Sequence, residues 1–458
     1  MKKSLLTLLS IGILLLLWQL FALTVDLPEL VPSIPKLAGT LAGLFTSATF
    51  YQSVAATVAR GIGGMLISLA AAICMAYLFS RKEWLYELFR PMLAIMRSIP
   101  VISFILLALI FLNPENIPLI IAFLTMFPLL TENLTKGIRN QRKEYIIMAR
   151  TFQIGRWNRI TQIIYPQLKP FLYSGLASAA GFGWRAIIMG EVLAQCNLGI
   201  GGEMKRAQTF IAVPELMAWT IVAILVSFLF DKGIARLGQM PVGISYTSKE
   251  KEMPPPMPVG DIRIKDLSFQ YGDKPILSHF NYQFKQRHIY GITAPSGTGK
   301  TTLLQLIGHI LHPLQGKIEM NDCGGIATVF QEPELLNHLT VAENIALPLA
   351  AVTGKEKALA LAAGILEKME METYGERFPG ELSFGQQQRV AMARALIYPS
   401  SLLLMDEPFK GIDEALCRRI IGRIRQRQSE NGQTVLFTSH NPEELQLLAD
   451  ETVRLKTD

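Results

Sequence analysis

Gly291-Ile-Thr-Ala-Pro-Ser-Gly-Thr-Gly-Lys300-Thr-Thr-Leu-Leu304 is the stretch from which the second half of this 458-residue chain can be read. The apolar run His288-Ile-Tyr-Gly-Ile-Thr293 reads as a buried strand, and Thr301-Thr-Leu-Leu-Gln-Leu-Ile-Gly308 opens an amphipathic helix. The glycine-rich turn between them aims consecutive backbone N–H groups and a helix N-terminus at one spot, which attracts phosphate. The pattern is Gly-x-x-x-x-Gly-Lys-Ser/Thr with Ala294 at the first glycine. Alanine there asks for an ordinary backbone conformation. Ser296, Gly297, Thr298, Gly299, Lys300, Thr301 and Thr302 are therefore the candidate phosphate-binding residues. Lys300 adds a positive charge for the outer phosphates, and the Thr301 hydroxyl suits Mg²⁺.

Outward from this loop the composition divides in two. An apolar fraction of 50% and a mean hydropathy of +0.30 are too high for an ordinary soluble protein, so a membrane portion is expected. Residues 1–240 hold 21 Lys+Arg against 11 Asp+Glu, and residues 241–458 hold 23 against 26, so the basic excess lies in the first half. There the basic residues sit between apolar runs, which argues for membrane topology and against a nucleic-acid partner. Cys74, Cys196, Cys323 and Cys417 are far apart and support neither a disulfide framework nor a zinc site. All six histidines lie beyond residue 278, which leaves the first half no histidine-based metal or proton site.

Apolar runs near 5–25, 55–79, 92–112, 117–135, 171–195 and 213–231 give an expectation of six membrane-spanning helices. The first is too long for a signal peptide and lacks a cleavage site. The third contains Arg97 and Pro100, which blurs its start. Residues 136–169 carry eight Lys/Arg and one acid, while the segment from Asp26 to Phe50 carries one cation, Lys36. The positive-inside rule places the 136–169 loop and both chain ends in the cytoplasm. Arg185, Glu191 and Glu132 are ionisable groups within or at the end of these runs, and such groups are functional candidates by default.

From Pro241 the pattern becomes charged and then proline-rich, Ser248-Lys-Glu-Lys-Glu-Met-Pro-Pro-Pro-Met-Pro258, as expected of a semi-rigid linker over 241–260. From Asp261 onward short β-type runs alternate with helical stretches, an α/β pattern with a ligand at the sheet edge. Ser401-Leu-Leu-Leu-Met-Asp406-Glu407-Pro408 is an apolar strand ending in two adjacent carboxylates. Asp406 suits Mg²⁺, and Glu407 suits a general base that polarises an attacking water. Val435-Leu-Phe-Thr-Ser-His440 is a second strand, ending in histidine.

Taken in order, these motifs resemble the ABC ATPase family. Tyr271 stands where the family has its adenine-stacking A-loop aromatic. Gln331, in Val329-Phe-Gln-Glu-Pro, matches the Q-loop residue that reaches metal and water. Leu382-Ser383-Phe-Gly385-Gln386 resembles the LSGGQ signature, with Phe384 in place of the middle glycine, and Lys410-Gly-Ile-Asp413 fits the D-loop. The resemblance implies that Ser383, Gly385 and Gln386 contact the nucleotide held by a second copy, and that His440 is the switch histidine near the γ-phosphate.

The first half resembles the permeases of ABC importers, in particular those for nitrate, sulfonates and taurine. Residues 147–166, Ile-Met-Ala-Arg-Thr-Phe-Gln-Ile-Gly-Arg-Trp-Asn-Arg-Ile-Thr-Gln-Ile-Ile-Tyr-Pro, look like their EAA loop, with Ile147 for the leading Glu and Gln153 for the central Gly. Gly181-Phe-Gly-Trp184-Arg-Ala-Ile-Ile-Met-Gly-Glu191 and Leu198-Gly-Ile-Gly201-Gly202 extend the match. The expectation is an all-α transmembrane domain (1–240, about six helices) fused to an α/β P-loop ABC-type nucleotide-binding domain (261–458). Two copies would use ATP and Mg²⁺ to import a small solute across the bacterial cytoplasmic membrane, with a separate extracytoplasmic binding protein delivering it. Alternatives are the same machinery importing a vitamin or precursor such as hydroxymethylpyrimidine or riboflavin, and an exporter half-transporter. The EAA-like loop and the short membrane half disfavour the exporter.

Overall fold

The computed structural model describes residues 2–25, 27–242, 260–295, 297–321 and 325–455. Most of the expected linker lies outside the described residues, as does Ser296. The helices of the first half are α1 (Lys2–Val25), α2 (Ile34–Leu44), α3 (Ala48–Arg81), α4 (Glu83–Ser98), α5 (Val101–Phe111), α6 (Ile117–Arg139), α7 (Lys143–Thr151), α8 (Arg156–Arg159), α9 (Tyr165–Ala194), α10 (Ile200–Thr209) and α11 (Val213–Gln239). The chain divides into two compact units, 1–141 with 167–240 and 142–166 with 241–458. The break at 240/241 falls at the expected end of the first half, and residues 142–166 cluster with the second unit. Residues 142–166 bury Tyr145, Met148, Ala149, Phe152, Ile154 and Ile163 in the core of the second unit.

The expectation of about six spans is met in part among the described residues. Four helices are long and apolar enough to cross a membrane: Ala48–Arg81, Pro114–Arg139, Arg156–Ala194 and Val213–Gln239. The run at 92–112 is a bent pair, α4 and α5, turned by 94°. Pro100 is the cause. Ile99 before it is extended at ψ 126°, as the clash with a following proline ring dictates, and Ile99 ends α4. Counting the pair as one gives five spans among the described residues. α1 adds a shorter apolar stretch, Gly12–Val25. Exposed Leu66, Ile73, Leu225, Phe228 and Leu229 on α3 and α11 face outward as lipid-solvated surface would.

Inside the first unit the helices approach closely through small residues, the packing that lipid-solvated helices favour. A Cβ added at Gly64 would lie 2.5 Å from Ala122 Cβ, and one at Gly61 would lie 2.9 Å from the Trp184 ring. Glu191 is fully buried and fully engaged. It accepts from Thr57 Oγ1 at 2.9 Å, from Arg60 at 2.7 Å and from the Gly201 N–H at 2.9 Å. Arg60 also pairs with Glu115 at 2.5 Å. Glu191 is therefore a structural tie between α3, α9 and α10, with no open face for a solute.

The second unit contains two sheets. A three-stranded antiparallel sheet has the order β2 (Lys274–Phe284), β1 (Ile262–Tyr271), β4 (Gln315–Glu319). A five-stranded parallel sheet runs β5 (Ile326–Val329), β6 (Leu402–Asp406), β7 (Thr434–Thr438), β3 (Ile289–Thr293), β8 (Glu451–Arg454). β6 and β7 are buried at every position, as expected of apolar runs in a parallel sheet covered on both faces. The helices of this unit are α12 (Lys300–Ile307), α13 (Val341–Thr353), α14 (Lys355–Lys368), α15 (Phe384–Ile397), α16 (Glu414–Asn431) and α17 (Pro442–Leu448), with α13 and α14 packed on each other and on α15.

The glycine contact yields a test. Gly64→Leu forces α3 and α6 apart and should lower the thermal midpoint of the detergent-solubilised protein by several degrees, in line with overpacking costs of about 1–3 kcal/mol. Gly63→Ala, whose Cβ meets only Leu119 Cδ1 at 3.6 Å, should leave it unchanged.

Candidate functional site

β5, β6, β7 and β3 are parallel neighbours, so their C-terminal ends share one edge of the sheet. At that edge β3 runs into the glycine loop, β5 leads to Gln331, β6 ends in Asp406 and Glu407, and β7 leads to His440. Ligands in open α/β folds bind at this kind of edge. A cavity of about 250 Å³ lies there, lined by Gly297, Gly299, Lys300, Thr301, Thr302, Gln331, Glu407 and His440. The sequence motifs are far apart along the chain, and the sheet brings them together.

The loop has the geometry that its residue types require. Gly297 and Gly299 have φ of +82° and +92°, the left-handed region that glycine adopts without a Cβ penalty. Ala294 is not among the positive-φ residues, so alanine fits there. Lys300 is buried and folds back on its own loop, donating to Ala294 O at 2.8 Å and Pro295 O at 3.1 Å. Burial lowers its pKa, while Glu407 and Asp406 pull it the other way. An ammonium held in the loop mouth, beside the unpaired N–H groups of the first turn of α12, is a built receptor for phosphate oxygens.

The two carboxylates are set by one hydroxyl that sequence reading missed. Thr438 Oγ1 donates to Asp406 Oδ1 at 2.7 Å and accepts from the Glu407 backbone N–H at 2.9 Å. Its signal is register, because Thr438 is the strand partner of Asp406. Glu407 is held at φ +46°, a conformation costly for a non-glycine residue and typical of functional sites. Its Oε1 lies 3.4 Å from His440 Nε2. Asp406, Thr301 and Gln331 line an adjoining cavity of about 240 Å³. Their carboxylate, hydroxyl and amide oxygens form a hard donor set that suits Mg²⁺, which keeps waters and takes phosphate oxygens as further ligands.

Other candidates stand elsewhere. Tyr271 is exposed at the end of β1, its ring edge-on to Phe269 at 5.0 Å, and does not line the loop cavity. Ser383 caps α15, accepting from the Gln386 N–H at 3.3 Å while its own N–H donates to Gln386 Oε1 at 2.9 Å. A Cβ at Gly385 would fall 2.1 Å from Gly411 O, so glycine is required where the signature turn meets the D-loop. Phe384 presents its ring to Lys410, with Nζ 5.7 Å from the centroid. Neither Ser383, Gly385 nor Gln386 lines the cavity around Lys300.

The 142–166 segment docks on the same unit beside Gln331. Tyr145 Oη donates to Leu335 O at 3.0 Å, and Arg142 pairs with Glu334 at 3.6 Å. Phe152 is buried edge-on to Tyr398 at 5.3 Å and lies under the Arg394 guanidinium at 5.5 Å. Arg394, on α15, is fully buried and donates to Glu334 O and Pro333 O, both at 2.8 Å. Burial lowers its pKa to about 10. One guanidinium thus joins the signature helix, the segment after Gln331 and the docked loop. Gln153 has φ +52°, which explains why glycine suits that position.

This site and fold define a P-loop nucleotide-binding unit of the ATP-binding-cassette type, on a chain that also carries a helical membrane-type domain. Comparison with known proteins agrees. Residues 277–410 match the ABC transporter family model, and residues 64–234 match that of the binding-protein-dependent transport system inner membrane component. A sulfate/thiosulfate import ATP-binding protein of Rhizobium meliloti (strain 1021) is 31% identical over 42% of this chain and 56% of its own length. A spermidine/putrescine import ATP-binding protein of Legionella pneumophila (strain Paris) is 35% identical over 42% and 56%. The "probable sulfate/thiosulfate import ATP-binding protein" of Chlorella vulgaris is 32% identical over 43% of this chain and 87% of its own length. The chain spans little more than half the length of the Rhizobium and Legionella relatives. It belongs to the ABC transporter family, with a helical membrane-type domain fused to an ABC ATPase.

The docked loop carries a pH signature. His338 hydrogen-bonds the Gln162 backbone, and burial pushes its pKa from 6.5 down to about 4. A depressed histidine contributes stability that is present above pH 6.5 and lost as pH falls toward 4. Burial raises the Glu334 carboxyl, which acts with the opposite sign. Acidification from pH 7 to pH 5 should therefore lower the thermal midpoint of the full chain more than that of His338→Gln, and that difference is the readout.

Proposed function

We propose that this chain is one half of a homodimeric, ATP-driven importer of the bacterial cytoplasmic membrane. The observation that carries this reading is the convergence of Lys300, Thr301, Gln331, Glu407 and His440 on one cavity. The docked 142–166 loop links that site to the membrane half. The loop N–H groups and Lys300 bind the phosphates of ATP, and Tyr271 offers a ring for the adenine. Thr301, Gln331 and Asp406 would hold Mg²⁺, which would supply neutralisation of the phosphate charge.

Glu407 accepts a proton from the water that attacks the γ-phosphorus, and the bond to the β-phosphate oxygen breaks. His440, 3.4 Å from Glu407, holds the carboxylate against the water and the γ-phosphate. Ser383, Gly385 and Gln386 serve the site of the other copy, which accounts for their distance from Lys300 within one chain. Dimer closure then moves the 142–166 loop through Arg394 and Phe152, and the membrane helices follow.

The solute is a small anion of the nitrate, sulfonate or taurine type, brought by a separate extracytoplasmic binding protein. The names of the relatives fit a small charged solute, sulfate and thiosulfate being anions themselves.

Glu407→Gln should lower ATP hydrolysis by the purified dimer at least ~100-fold, the worth of a general base, while ATP still binds. Near-normal hydrolysis would remove Glu407 from the role of base.

A further inference from the structure

Arg185 is a charge of the membrane half with no ion pair among the described residues, unlike its neighbours in the fold. Arg97 and Lys136 share Glu132, and Arg60 joins Glu191 to Glu115. Arg185 is exposed, and among the described residues no carboxylate pairs with it. It lies nine residues before the end of α9, about 14 Å along the helix axis, and with that helix end at a membrane face it would stand near mid-depth of a ~30 Å hydrocarbon core. A bare guanidinium facing lipid at that depth is costly, so it must face water or an anion.

The surroundings say which anion. Arg185 lines a cavity of about 400 Å³ whose wall is otherwise apolar, with Ile99, Phe182 and Met189, and whose polar members are Arg97 and Thr125. Arg97 is occupied by Glu132. Thr125 Oγ1 donates to Ile121 O at 2.9 Å, which leaves its oxygen free to accept. Arg185 is thus the one free anion receptor in the cavity, and its planar fork matches a sulfonate or carboxylate. A fully hydrated inorganic anion gains nothing from the Ile99, Phe182 and Met189 wall, whereas a carbon body does. The bent junction at Ile99–Pro100 forms one rim, which places the cavity where the helix path is broken.

We infer that this cavity is a solute-contact site of the permease, in which Arg185 takes the sulfonate or carboxylate of a small organic anion and Ile99, Phe182 and Met189 take its carbon part. The inference rests on the importer reading and narrows its solute to organic anions.

The test is cysteine accessibility in proteoliposomes of the full-length dimer, without ATP. Met189→Cys is treated with a sulfonate-bearing and an ammonium-bearing methanethiosulfonate, and modification at position 189 is followed by peptide mass mapping. Both reagents should react. Adding Arg185→Gln should cut the anionic-to-cationic rate ratio about tenfold, the effect of one nearby charge at intermediate dielectric. Arg185→Lys should retain the ratio. Butanesulfonate should slow modification when Arg185 is present and not in the Arg185→Gln protein, and butanesulfonamide should not slow it in either.

No reaction at 189 would show that the cavity faces lipid or is sealed by the second copy, and would overturn the proposal. So would a ratio indifferent to Arg185→Gln, or equal protection by the neutral sulfonamide. Protection that follows the anionic lipid content instead of butanesulfonate would assign Arg185 to a headgroup and likewise overturn it. None of these results depends on ATP hydrolysis, so they stand apart from the outcome of Glu407→Gln.

Discussion

The Thr438 hydroxyl is the contact on which the catalytic edge depends. It donates to Asp406 and accepts from the Glu407 N–H, so one side chain sets both the carboxylate proposed to hold Mg²⁺ and the backbone turn that presents the proposed base. It can do so only because β6 and β7 are parallel neighbours in register at Asp406 and Thr438. The same sheet order brings β3 beside β7, and with it Lys300. The left-handed φ of Glu407 is a cost that this two-bond clamp holds in place.

The second unit is arranged so that the nucleotide edge and the docked loop share supports. Arg394 is buried and donates from its two terminal nitrogens to two carbonyls just past Gln331, while its Nε has no partner. An aromatic ring of the loop faces its guanidinium. A buried charge is costly to strip of such partners, which makes it a stiff connector. A shift of α15 therefore drags both the Gln331 segment and Phe152, and a shift of the loop acts back on α15. The strain at Gln153 fits this picture. The turn after α7 needs a left-handed residue so that Phe152 and Ile154 both enter the core, and the chain supplies one without the freedom of glycine.

Local motifs were legible because their chemistry is written in adjacent residues. Gly297 to Thr302 specify a turn and a helix start, and Leu402 to Glu407 specify a strand with acids at its end. The α/β class and the parallel sheet follow from those runs. What was not legible depends on pairing between distant segments. Thr438 is an ordinary strand residue until its register is known, and Arg394 looks like one more cation on a helix. The bend in the third run was hidden for a related reason. Hydropathy averages over Pro100, so 92–112 reads as one run, although the backbone at Ile99 cannot remain helical. The docking of 142–166 was hidden because the basic residues of 136–169 mask an apolar set, Tyr145, Met148, Phe152 and Ile154, whose partner is a core more than a hundred residues away.

Glu191 and Arg185 show how far sequence alone carries an ionisable residue in a membrane helix. They lie six residues apart on α9, in one apolar run, and nothing in their neighbours distinguishes them. The structure separates them by whether their charge is answered. Glu191 meets a guanidinium, a hydroxyl and a backbone N–H inside the helix packing, so its charge is spent on holding α3, α9 and α10 together. Arg185 turns outward into a cavity with no acid of its own. In the proposed importer, Glu191 fixes the frame, and Arg185, with no ion pair among the described residues, is left for the solute.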